Sequence, residues 1–411
     1  MKLGKLNLTL MSFLLISVIL FGCTGGSSSP PSTYSLPKTT ISSSPTTTSR
    51  IMEMLEVVPD LPEVRSELWF IDFASLRKTY GIDLSKYKAK DGNPLEQGEN
   101  DYIPDLFAGF ELTGIPGDIP FISGMGPVRL YADLSPIRTK NIGFGPLDIE
   151  RSIVAGEPPN QFEAIKGVFD LTAIRRAIDK YEEAKQPRLL TYKNVTVYDW
   201  GSEIRLSWRL SPPIFDQLGR GRKLAVQQYD IFGSTLMEYV QMMLDASHGQ
   251  LTSLADNPQF RDMANYLAEM GAISALLTDF VQKPDNYLKL ESPIAERFIK
   301  ASQSEPVLGP YTAFATGFGK DEKGPFMTLV LIYDQPEQAN HDVGVLRQRF
   351  AVGQTSKNTP WRELIDSSEV WADGRALCAK LRGHIVLIWA RFSYSYARGY
   401  LDYEPLLIRG G

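Results

Sequence analysis

The stretch FIDFASLRKTY (residues 70–80) aligns without gaps to VFDLTAIRRAI (168–178). Asp72 matches Asp170 and Arg77 matches Arg175, while apolar residues coincide at Ile71/Phe169, Phe73/Leu171 and Leu76/Ile174. In both copies an apolar run ends at an aspartate that can cap the first turn of a helix. The pairs Arg77-Lys78 and Arg175-Arg176 would then fall on the helix's outer face, near its negative end. A gapless match of this kind favours duplication of a strand–helix unit. FMTLVLIYDQPEQANHDVGVLRQRF (326–350) repeats the logic more loosely through Asp334, where duplication and a generic junction explain it equally well.

Strand signals lie between and beyond these junctions. LLTYKNVTVYDWG (189–201) alternates and pauses at Lys193-Asn194, EIRLSWRL (203–210) follows, and LAVQQYDIF (224–232) reads as one strand. YTAFATGFG and GPFMTLVLIYD around KDEKG predict a hairpin. Helices are predicted over Ser234–Ser247 and Pro258–Met270, the second with Asp256 or Asn257 as cap and Pro258 in its first turn. HIVLIWARFSYSYA (384–397) reads as a last strand with Phe392, Tyr394 and Tyr396 on one face. Helices and hairpins together predict an α+β fold, antiparallel sheets with helices packed on one face.

Outward from this core, the N-terminal region has a different character. Lys2 and Lys5 precede an apolar run from Leu8 to Phe21, the anatomy of an export signal and short for a permanent span of roughly 20 residues. Leu20-Phe21-Gly22-Cys23 resembles the lipobox of prokaryotic lipoproteins, with Phe21 bulkier than the usual residue. The resemblance implies cleavage before Cys23 and a lipid on that cysteine. Residues 24–50, TGGSSSPPSTYSLPKTTISSSPTTTSR, bury too little apolar surface to fold and read as a tether. The expected organisation is a signal peptide (1–22), lipidated Cys23 with its tether (23–50), a first α+β region (51–215) and a second (216–411).

IGFGPLDIERSIVAGEPPNQFEAIKGVFDLTAIRRAI (142–178), YKNVTVYDWG and SLADNPQFRDMANYL (253–267) resemble a group of extracytoplasmic bacterial lipoproteins built from repeated strand–helix units. The resemblance covers about half of the exported part and transfers no catalytic residue.

Four of the chain's 43 basic residues and none of its 48 acidic ones precede Ile51, which leaves the rest with nine excess negative charges. That balance argues against nucleic acid or an anionic lipid surface as partner. GRGRK (219–223) is the compact basic cluster and reads as a solvated turn. With Cys23 lipidated, Cys378 has no disulfide partner and reads as a buried small hydrophobe, although His384 lies six residues on.

Catalytic signatures are missing. His248, His341 and His384 are scattered, no Gly-x-Ser-x-Gly elbow occurs, and Ser75-Leu76-Arg77-Lys78 has no Lys-Thr-Gly partner, while its aligned copy carries Ala173 and Arg176. The glycine pairs Gly124/Gly126, Gly143/Gly145 and Gly317/Gly319 read as turns. TGIPGDIPFISGMGP (113–127) reads as a long apolar loop that contacts a partner or folds onto the core, and the Phe392-Tyr394-Tyr396 stripe as core before ligand platform. No catalytic, cofactor or metal residue is nominated, and no cofactor is expected. The leading expectation is a non-catalytic binding or surface-organising lipoprotein, exported and lipid-anchored to the outer face of the membrane or within the envelope. Its partners would be the membrane, through the lipid, and an extracellular protein or small molecule. The alternatives are a substrate-binding lipoprotein of an uptake system or an extracellular hydrolase using scattered carboxylates.

Overall fold

A computed structural model of the chain describes residues 49–88, 142–156, 161–180, 186–201, 221–281, 306–355, 358–384 and 388, all within the unit Thr48–Gly411. In chain order these residues form α1 (Arg50–Leu55), α2 (Pro62–Arg65), β1 (Leu68–Asp72), α3 (Phe73–Tyr80), β2 (Ile149–Ala155), β3 (Phe162–Gly167), α4 (Leu171–Ile178), β4 (Arg188–Tyr192), β5 (Val195–Asp199) and β6 (Lys223–Val226). They continue through β7 (Asp230–Ser234), α5 (Met237–Ser247), α6 (Pro258–Glu269), β8 (Ser274–Thr278), β9 (Tyr311–Asp321), β10 (Gly324–Tyr333), α7 (Pro336–Val352), α8 (Trp361–Leu364), β11 (Ile365–Asp373) and β12 (Ala376–Gly383). Export signal, Cys23 and nearly all of the tether lie outside the described residues. Ser49 already caps α1, so helix replaces tether at Arg50.

The aspartate junctions form as their sequence predicts. Asp72 accepts from the Ser75 N–H at 2.8 Å at the start of α3, and Asp170 accepts from Thr172 and Ala173 at the start of α4. At the third junction Gln335 occupies the N-cap of α7 without a side-chain bond, so Asp334 does not repeat the motif. The two helices differ in what their arginines do. Arg175 is exposed, whereas Arg77 is buried and donates to the Ile149 carbonyl at 2.9 Å, a correction to the outer-face reading. A strand carbonyl within reach of α3 outweighs solvent for that guanidinium.

All pairings are antiparallel, and the strands form one sheet in the order β11-β12-β10-β9-β8-β1-β2-β3-β7-β6-β5-β4. Strands on either side of position 215 interleave: β8 pairs with β1, β7 with β3 and β6 with β5. The 193–194 turn has both residues at positive φ (48° and 65°), the twist that suits a two-residue hairpin. Glu322-Lys323 turns β9 into β10. LAVQQYDIF is a hairpin rather than one strand, bending at Gln227–Tyr229 between β6 and β7.

Helices cover both faces of the sheet, which corrects the one-face expectation. Trp69, Ile71, Leu276, Phe314, Leu329 and Leu331 pack beneath residues of α3, α4, α7 and α8. Leu68, Phe70, Ala275, Leu277, Ala315 and Val330 pack on the other side beneath α1, α5 and α6. Both β1 and β8 are buried at every position, so both faces are apolar and each requires cover. Each such Leu or Ile contributes roughly 1.5–3 kcal/mol by leaving water, and this packing holds the eight-residue α3 and α4, too short to persist alone.

The alternation Ala313, Ala315, Gly317, Gly319 gives β9 a small-residue face where α6 lies. A Cβ on Gly317 would meet Leu267 Cδ2 at 2.8 Å, and one on Gly319 would meet the Gly271 carbonyl at 2.5 Å. These glycines permit close helix–sheet approach and are not turn residues. Gly143 (φ +83°) likewise lets the chain pass against the α4 backbone, since an added Cβ would lie only 2.5 Å from the Ile174 Cα.

Candidate functional site

The residues singled out in the sequence do not converge. Cys23, the 113–127 loop and the Phe392-Tyr394-Tyr396 stripe lie outside the described residues. Cys378 is fully buried in β12 between Val330 and Trp371, and burial pushes its thiol far above the ordinary range. A thiolate nucleophile is therefore disfavoured there. His384 is exposed, and its carbonyl accepts from the Ile388 N–H at 3.0 Å; the strand expected over 384–397 otherwise lies outside the described residues. His248 ends α5 with Nδ1 at 2.6 Å from the Leu244 carbonyl, and His341 is exposed on α7. Ser75 Oγ accepts from Arg50 at 2.9 Å, while Lys78 is exposed.

The described part of GRGRK, residues 221–223, contributes to the interior. Arg222 pairs with Glu163, whose side chain is 3 % exposed. Lys223, 2 % exposed, donates to the carbonyls of Gly201 (2.7 Å) and Thr235 (2.9 Å) and lies 3.6 Å from Asp199. Asp199 in turn accepts from Arg188 of β4 at 2.6 Å. Asp199 on the adjoining β5 and Glu163 on β3, one strand beyond β7, convert the basic residues into two ion pairs.

Glu163 has an unusual position. One lateral row crosses the sheet as Val370–Ala379–Leu329–Thr316–Leu276–Trp69–Val154–Glu163–Gly233–Leu224–Tyr198–Leu189. Glu163 is the ionisable carboxylate within it. Its row neighbour is Gly233, where an added Cβ would lie 3.0 Å from Leu224 Cδ2 and 3.3 Å from Glu163 Oε2. The missing side chain gives the ion pair its room. Burial raises the Glu163 carboxyl above its ordinary value against the opposing pull of Arg222, and Oε1 has no hydrogen-bond partner among the described residues. The sequence offered a faint signal: in FEAIKG, Glu163 alternates with Ile165 and so belongs to an apolar face.

A second cluster joins two carboxylates through one guanidinium. Arg65 Nε donates to Asp60 at 2.6 Å, its Nη1 lies 4.0 Å from Asp279, and Asn257 Nδ2 reaches Asp60 at 3.4 Å. Burial raises the Asp279 carboxyl, with Arg65 opposing and Asp60 adding to the rise. The cluster ties α2, the end of β8 and the N-cap of α6 together. A third is built on Asp342 of α7, 1 % exposed, which accepts from the Tyr333 hydroxyl at 2.7 Å and the Gly309 N–H at 2.5 Å.

Each cluster links elements of the fold through groups that already have protein partners. Among the described residues no three of His, Cys, Asp and Glu are placed to hold a metal ion. No helix among them is long and apolar enough to cross a membrane.

No protein-family model matches the chain, and no curated protein matches it. Among solved structures, crystal form I of TP0453 is similar over 83 % of this chain and 96 % of that one, at 11 % identity and a TM-score of 0.35. Form III gives 10 % identity, a TM-score of 0.34 and coverage of 83 % and 97 %. Form IV gives 8 % identity and a TM-score of 0.34 over 84 % and 96 %.

Proposed function

We propose that this chain is an exported, lipid-anchored protein of the bacterial cell envelope whose folded part binds or organises something outside the membrane without catalysis. The observation that carries the reading is Leu20-Phe21-Gly22-Cys23, placed between an export-type apolar run and a Ser/Thr/Pro tract. The tract runs up to the Ser49 cap of α1. An anchor, a solvated spacer and a folded unit follow one another along the sequence. The non-catalytic part of the proposal draws support from the burial of Cys378 and from the closed ion pairs of Glu163 and Asp60. The gapless match at residues 70–80 and 168–178, with equivalent caps at Asp72 and Asp170, supports duplication of a strand–helix unit as its origin.

Intact-mass spectrometry of the protein extracted from membranes, beside a Cys23→Ala variant, tests the anchor. A mature chain starting at Cys23 with added lipid mass, lost in the variant, is the expected outcome. A chain cut elsewhere or released into the medium overturns it.

A further inference from the structure

Among the described residues the sheet ends in two edge strands, β11 and β4, and they are treated differently. β11 carries Asp366, Glu369 and Asp373, breaks register between Ile365 and Ser367, and has its Val370 carbonyl bound by Arg347 of α7 at 2.6 Å. Charged side chains, a bulge and a covering bond are the devices by which edges resist pairing. Among the described residues β4 has neither bulge nor covering bond, and its one charge, Arg188, is taken up by Asp199 at 2.6 Å. Its sequence, Arg-Leu-Leu-Thr-Tyr, holds no acid and no proline, its register with β5 is unbroken, and Leu189 is 60 % exposed.

The two-residue turn at 193–194 decides which β4 groups face outward. It closes on the Tyr192/Val195 pair, so Tyr192, Leu190 and Arg188 direct N–H and C=O toward β5, while Leu189 and Thr191 direct theirs away from the sheet. We propose that β4 is the docking edge for a second copy of this chain, joined antiparallel about a two-fold axis at Leu190. In that register Leu189 meets the partner's Thr191 and gives four backbone hydrogen bonds across the axis. Arg188 meets the partner's Tyr192, cation against ring, and Leu190 meets the partner's Leu190. No like charges oppose each other, which makes the strand complementary to itself, whereas two copies of β11 would bring three acids a side onto one seam.

Tyr192 is already held for this role by its hydroxyl, which donates to Asp245 of α5 at 3.0 Å. Five residues a side bury less than the ~1,200 Å² of a stable interface, so the pairing is weak in solution and is best read by trapping. The Leu190 pair would be a non-hydrogen-bonded one, with Cα atoms about 4.5 Å apart, within disulfide range.

The experiment uses the full chain carrying Leu190→Cys, with Ser367→Cys on β11 as the comparison edge and Leu190→Cys/Leu189→Pro as the second variant. The proline removes one outward N–H and leaves the β4–β5 bonds in place; unchanged circular dichroism checks that it folds. Mild oxidation is expected to trap a dimer of Leu190→Cys above the wild-type background, with none from Ser367→Cys and loss of the dimer in the proline variant. Trapping no faster than at Ser367→Cys, or trapping that survives the proline, overturns the proposal. Cross-linking of Leu190→Cys to another protein but not to itself also overturns it, in favour of a foreign strand on this edge.

Discussion

The Tyr333 hydroxyl donates to Asp342 Oδ2 at 2.7 Å, a bond between the last residue of β10 and the middle of α7 with both side chains out of solvent. The same oxygen accepts from the Gly309 N–H, so one carboxylate holds helix, strand and the chain entering β9. Asp342→Ala strands a hydroxyl and an amide in the interior and is expected to cost about 3 kcal/mol. Tyr333→Phe removes only the hydroxyl, leaves the Gly309 bond, and should cost about 1 kcal/mol. Urea midpoints of the two variants check the order; equal losses would mean the carboxylate serves Tyr333 alone.

Glu163 gives stability an inverted dependence on pH. Because burial raises its carboxyl above the ordinary 4.5, the native state keeps the proton to higher pH than the unfolded chain. Its contribution is therefore greatest below that ordinary value and declines as pH rises from it through the native one. Glu163→Gln keeps a neutral side chain at every pH, so it should match the wild type in acid, exceed it at neutral pH and stay flat across that window. Denaturant midpoints of both proteins through the acidic range decide the matter, and parallel curves would refute it.

Two glycine substitutions should move stability in opposite directions. Gly317→Ala drives a methyl to 2.7 Å from Thr328 Oγ1 and 2.8 Å from Leu267 and is expected to destabilise by about 1–3 kcal/mol. Gly344→Ala, inside α7 with nothing within 4 Å, should stabilise by roughly 0.5–1 kcal/mol. Thermal melts of both variants provide the comparison.

Cys378 should resist alkylation in the folded protein, because its thiol is enclosed and pushed up by burial. Maleimide treatment followed by peptide mapping is expected to label it only once denaturant opens the sheet. Prompt labelling of the native protein would show that β12 opens readily.

What the sequence makes legible is local. Asp72 and Asp170 cap because an aspartate before a helix needs only the next three residues, and the Asn257-Pro258 start of α6 and the turns at 193–194 and 322–323 obey the same short-range chemistry. Partners distant in sequence escape it. Arg77 is indistinguishable from Arg175 until Ile149 lies beside it, Arg222 and Lys223 look solvated until Glu163 and Asp199 arrive, and Gly317 resembles a turn until α6 is laid across β9. The two-faced sheet had a visible sign: LWFID and SALLT show little of the alternation that a sheet open to water on one side requires. The proposed anchor at Cys23 rests on sequence throughout, since it precedes the described residues.

Arg50, at the start of α1, bonds Asp72 at 2.9 Å, and Asp72 ends β1, which has β8 on one side and β2 on the other. A pull exerted on the chain ahead of Ser49 thus enters through α1, whose first residue is tied to an interior strand and not to a loose margin. Mechanical load would be shared between two ladders at once, so a strand cannot be unzipped singly from the rim, and a unit loaded this way should withstand more force than one tethered through β4 or β11. Single-molecule pulling from residue 49, compared with pulling from β4, would express that difference in piconewtons.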